Sequence, residues 1–120
     1  MSTRSSLTPL MIKFLVHLFI AWIAFGFFQP NPFRWIFLLS LMTTILLYGL
    51  GDSYLLPRFG TFNTTLADGS IAVLLTLLID GLSDDFTVHL QAILVYTILV
   101  LIFEYIFHHI LKEITNDAKE

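Results

Sequence analysis

Residues 9–28 read PLMIKFLVHLFIAWIAFGFF, a run whose one formal charge is Lys13 and whose one histidine is His17. A helix rising about 1.5 Å per residue crosses roughly 30 Å of hydrocarbon in about 20 apolar residues, so this run is long enough to span a bilayer. Thr8 is placed to cap the helix, and Pro9 to occupy its first turn, where no amide donor is needed. Gln29, Pro30, Asn31 and Pro32 end it. The exit through Phe25, Gly26, Phe27, Phe28 and Gln29 lacks the small-residue pattern that signal peptidase needs, so the segment reads as a retained anchor.

Three more stretches of this kind follow. Residues 32–51 are entered through Asn31 and Pro32 and left through Tyr48, Gly49, Leu50 and Gly51. Residues 52–63, with Pro57, Arg58 and Gly60, read as a loop. Residues 64–82 form a third span, more polar than the others and therefore the expected interior helix. Ser83, Asp84 and Asp85 offer a cap and favourable negative charge to a fourth helix over 84–114. The expected fold is all-α: a polytopic membrane protein with four transmembrane helices in an antiparallel bundle, one domain over residues 1–120.

Composition agrees with that reading and excludes others. With 57% hydrophobic and 12% charged residues and a mean hydropathy of +0.84, a soluble chain of 13.7 kDa would have to coat itself in apolar side chains. The net charge of -3 and scattered basic residues leave no footprint for nucleic acid. The absence of cysteine removes disulfides, thiolate metal sites and thiol nucleophiles. No nucleophile–base signature, phosphate loop or dinucleotide fingerprint is present, so no enzyme activity is expected. Arg4, Lys13, Arg58, Lys112 and Lys119 fall on one side of a four-span chain and only Arg34 on the other. This bias puts both termini in the cytoplasm, with Trp22 and Trp35 toward the outer ends of the first two helices.

Polar residues recur at spacings of three and four, which a helix gathers onto one face. The expected inward stripes are Lys13, His17, Ile20 and Ala24; Ser40, Thr44, Tyr48 and Gly51; Thr65, Asp68, Ala72 and Thr76; and Ile93, Thr97, Leu101, Glu104 and His108. Lys13, His17, Asp68, Glu104 and His108 then share one level near the cytoplasmic helix ends. An unpaired charge at that depth costs at least about 2.5 kcal/mol, so Lys13 is expected to pair with Asp68 or Glu104. Such a cluster is either a proton or cation relay or a salt bridge that fixes helix register, and the second reading carries more weight because structural networks are common. Glu104 and His108 are four apart and could offer two metal ligands, completed by His17 and Asp68. Pairs of this kind also arise by chance and stabilise a helix unaided, so no metal and no cofactor is assigned. His109 points about 100° away from His108. His89 reads as solvated, and Asp80, Asp84 and Asp85 as helix-terminus and turn chemistry.

The segment Gly51, Asp52, Ser53, Tyr54, Leu55, Leu56, Pro57, Arg58, with Thr65, Leu66, Ala67, Asp68 after it, resembles the YndM-like family (domain of unknown function 2512), small four-helix membrane proteins of spore-forming Gram-positive bacteria. The Ile12, Lys13, Phe14 opening and the order of spans extend the resemblance over most of the chain. The family pattern continues Asp68 with Phe and Gly where this chain has Gly69 and Ser70, which shifts the close-packed position by one residue. The resemblance implies a shared cytoplasmic clasp at Gly51, Asp52, Pro57 and Arg58, with Asp52 available to Arg58, and it implies no activity. The expected role is a structural or interaction component of the bacterial plasma membrane, with lipid, a second copy or other membrane proteins as partners. The alternative is a small oligomeric channel or transporter with a titratable polar cluster.

Overall fold

A computed structural model describes residues 3–27 and 30–119. Among these all regular structure is helical, without strands: α1 (Thr3–Trp22) running into a π-helical turn (Ile23–Phe27), α2 (Phe33–Leu46), a π-helical segment (Leu47–Leu55), α3 (Leu56–Leu82) and α4 (Leu90–Lys119). Three stretches are long and apolar enough to cross a membrane: Leu7–Phe27, Phe33–Leu82 and Leu90–Leu111. The middle one holds 50 residues. As a straight α-helix it would be about 75 Å long, yet the longest dimension of the molecule is 50 Å, so it must bend back on itself.

Several boundaries differ from those expected. The helix that was to begin at Pro9 begins at Thr3, with Pro9 inside it, where the missing amide costs a single intrahelical bond; Gln29, its expected stop, lies outside the described residues. Asn31 does not cap α2: Pro32 holds the cap position with extended backbone and no side-chain bond. The expected loop over 52–63 is helical, because Pro57 sits in the first turn of α3, where a proline loses nothing. The chain bends instead at Gly60, whose φ of 85° and ψ of 174° belong to glycine almost alone. The fourth helix starts at Leu90, not at 84. Ser83 Oγ accepts the Asp85 amide at 3.1 Å in a local turn, which uses its capping capacity before a helix can start.

Reciprocal hydrogen bonds tie one end together: Asn31 Nδ2 donates to the Thr87 carbonyl (3.0 Å) and the Thr87 amide to Asn31 Oδ1 (2.9 Å). Arg34 pairs with Asp85 beside them. Phe25 packs edge-on against Phe86 and tilted against Tyr96 just inside this end. The apolar core continues through Ala21, Ala24, Ile36, Leu39, Ala72, Leu75 and Val100. Small residues let backbones approach: a Cβ on Gly69 would stand 2.6 Å from Leu101 Cδ2, so the close-packed position is Gly69 itself. On α4 the buried stripe is Ala92, Tyr96, Val100, Glu104, Phe107 and His108, while Ile93, Thr97 and Leu101, expected inside, are half-buried. Thr97 gives its hydroxyl proton to the Ile93 carbonyl (2.7 Å), so its polarity does not demand an inward place. Outward-facing Leu15, Phe19, Leu74, Leu78, Ile98 and Ile102 coat the molecule in hydrocarbon, a surface compatible with surrounding lipid.

Candidate functional site

At the end opposite the Asn31–Thr87 clasp, six ionisable side chains meet. Lys13 and His17 lie one turn apart on α1, Glu104 and His108 one turn apart on α4, and Asp68 faces them from α3. Asp52 comes from the π-helical segment, where the wider turn and the glycines at 49 and 51 bring the chain close to α3. Gly51 is pressed so closely on Asp68 that a Cβ there would collide with Oδ1. Ser53 Oγ donates to the Tyr48 carbonyl five residues back (3.0 Å), the spacing a π-turn creates.

Lys13, His17, Asp68, Glu104 and His108 are wholly buried, and Asp52 is 8% exposed. Lys13 Nζ donates to Asp52 Oδ2 (2.8 Å) and Glu104 Oε2 (2.9 Å) and lies 4.9 Å from the centre of the Phe107 ring. His17 Nε2 meets Glu104 Oε1 at 2.7 Å, and the Phe103 ring stands edge-on to the imidazole. His108 Nε2 lies 3.0 Å from Asp52 Oδ1, 3.0 Å from Asp68 Oδ2 and 3.4 Å from Glu104 Oε2. Its Nδ1 is 3.0 Å from Thr65 Oγ1. Despite these distances Nε2 makes no aligned hydrogen bond, and neither oxygen of Asp68 accepts one. Buried polar atoms without partners are uncommon and costly, so their concentration here marks the centre of the site.

The five residues that the sequence places at one level thus come together. Lys13 bonds to Glu104, one of its two expected partners, and not to Asp68. Its second partner is Asp52, which reads in the sequence as a loop residue available to Arg58. Arg58 is exposed, donates to the Tyr54 carbonyl (3.1 Å) and stacks on the Tyr54 ring, so no clasp between Asp52 and Arg58 forms. Asp52 was nevertheless within reach of sequence reasoning. Ser40, Thr44 and Tyr48 advance in steps of four, and the next step is Asp52. His89 and His109 are exposed, the latter edge-on to Tyr105, while Asp84 and Asp85 are exposed and Asp80 half-buried.

One ligand atom from each of Asp52, Asp68, Glu104 and His108 lies within 4.8 Å of the others, so these residues could hold a single metal ion. His17, counted among the possible ligands from spacing, is outside that set: its Nε2 is engaged by Glu104. Apolar surface grooves open toward the outside of the bundle, one between Gly69, Val73 and Leu101 and another bordered by Thr65, the residue that contacts His108. No curated protein and no solved structure matches the chain. A family sequence model covers it almost from end to end: matched over residues 4–120, the chain belongs to the protein family of unknown function DUF2512.

Proposed function

We propose that the chain is a structural or interaction component of a bacterial plasma membrane, crossing it four times with both termini in the cytoplasm. The bend within Phe33–Leu82 divides that stretch into two crossings under this reading, and the bias of Arg and Lys sets the orientation. The observation that carries the function is the division of polarity. Among the described residues, six ionisable side chains turn inward to one cluster within one copy of the chain, five of them wholly buried. The outer surface is dominated by large apolar side chains, mainly Leu, Ile and Phe, that offer packing. A channel or transporter needs its ionisable groups along a path open to water. Here they face each other, which favours a brace that holds the helices in register while the outer faces meet lipid and neighbouring helices.

The test is chemical crosslinking in native membranes, followed by sizing of the detergent-extracted protein. A defined homo-oligomer or a reproducible membrane partner is the expected result. Strictly monomeric protein with no crosslinked partner contradicts an interaction role. Reconstituted liposomes separate the competing reading: ion flux above that of empty vesicles, altered in Glu104→Gln, would establish a conduit instead.

A further inference from the structure

The buried cluster holds more carboxylates than ammonium groups, and its remaining charge balance falls to the two histidines or to a bound ion. Three carboxylates, Asp52, Asp68 and Glu104, face a single ammonium, Lys13, which leaves two negative charges where the histidines are neutral. Lys13 bonds Asp52 Oδ2 and Glu104 Oε2, so Asp52 Oδ1 and both oxygens of Asp68 are left over. Asp68 is wholly buried and directed into the cluster, and its Oδ1 has no polar partner among the described residues.

His108 narrows what belongs there. Thr65 Oγ1 has one proton, and it points to the Thr61 carbonyl at 2.7 Å. With that proton committed, His108 Nδ1 must donate to Thr65, and in a neutral ring Nε2 then presents a bare lone pair. That lone pair faces three carboxylate oxygens at 3.0, 3.0 and 3.4 Å and is aligned with none of them. A proton on Nε2 can form an aligned bond to one of those oxygens at a time, whereas a cation held among the four donor atoms, which lie within 4.8 Å of one another, serves all of them. Ligands held about 2.1 Å from a common ion stand about 3.0 Å apart at a right angle and about 3.4 Å apart at the tetrahedral angle, and the three distances from His108 Nε2 are of that size.

The geometry points to a divalent transition-metal site formed by Asp52, Asp68, Glu104 and His108. One divalent ion cancels the two surplus charges and satisfies the leftover oxygens. One imidazole with three carboxylates suits Mn²⁺, Fe²⁺ or Zn²⁺; Ca²⁺ and Mg²⁺ favour sets made of oxygen alone. Thr65 is the positioning residue, holding the imidazole by its far nitrogen as metal-bound histidines are usually held. The inference rests on the cluster being an internal brace and not on the presence of a partner, so the two fail separately: a monomer can hold the ion, and an oligomer can lack it.

Full-length protein in detergent, stripped with EDTA and titrated with Mn²⁺ or Zn²⁺, should retain one ion per chain and unfold at a higher temperature when loaded. His108→Gln should abolish retention, Thr65→Val should weaken it about 10- to 100-fold, and the exposed Glu113→Gln should leave it unchanged. The Mn²⁺ electron-spin spectrum should show coupling to an imidazole nitrogen that persists when His89 and His109 are both replaced by Asn. Because those two histidines are on the surface, persistence of the coupling places the ion in the buried cluster even if His108→Gln does not fold. Failure of the native protein to hold an ion, retention in a folded His108→Gln variant, or loss of the nitrogen coupling with the surface histidines would each overturn the site.

Discussion

At the scale of single residues, burial decides what a charge is worth. Lys13 and Arg34 each form an ion pair, yet Lys13 is wholly buried while the Arg34 side chain is 65% exposed. Removing Lys13 leaves Asp52 and Glu104 without their shared donor in a medium that cannot hydrate them. Lys13→Met is therefore expected to cost about 3–5 kcal/mol, against about 0–1 kcal/mol for Arg34→Met. Thermal unfolding of the two variants in one detergent checks the contrast, and similar midpoints would show that the cluster is not dry. A second expectation concerns Gly51, which lies against Asp68 with no room for a methyl group. Gly51→Ala should lower the unfolding temperature well below that of Gly49→Ala, since a Cβ at Gly49 meets nothing. Both substitutions relieve the same glycine entropy, so the difference isolates the close approach.

At the scale of elements, the sequence disclosed faces better than ends. A polar residue every three or four positions needs only the helical period to be recognised, and that period sets Lys13, His17, Asp68, Glu104 and His108 on inward faces of three helices, where all five are buried. Ends were harder, because glycine and proline have two meanings. Gly49 and Gly51 were read as releasing a helix, although here they line a π-helical turn that carries Asp52 inward. Pro57 reads as part of a loop, although it opens α3. The true break is Gly60, and its backbone explains why: a side chain at φ 85° and ψ 174° is strained wherever it points. Gly60→Ala should cost about 1–3 kcal/mol, although nothing lies near the added Cβ. A steric explanation predicts no such loss, so a variant as stable as the parent would show that the bend tolerates an ordinary residue. On α4 the misplacement of Ile93, Thr97 and Leu101 has a related origin: a threonine that bonds its own helix gives a polar signal without needing an inward face.

At the scale of the whole molecule, the two ends differ in kind. One holds a solvated clasp of Asn31 with Thr87 and Arg34 with Asp85. The other holds the sealed cluster around Lys13, with Arg58 exposed just past it. Charged groups at a bilayer sort by this difference, because segments richer in Lys and Arg stay in the cytoplasm while short loops poorer in them are translocated. The chain has no cysteine, so a single introduced thiol reports its side of the membrane without background. Arg58→Cys and Asp84→Cys each place that thiol at an exposed position, outside the cluster and its ligands. In intact cells an impermeant maleimide should modify Asp84→Cys and spare Arg58→Cys until the membrane is opened. Labelling of both from outside would mean that Phe33–Leu82 does not make two crossings. It would also leave the buried charges at a depth where water could hydrate them, removing the reason for Lys13, Asp52 and Glu104 to seek each other.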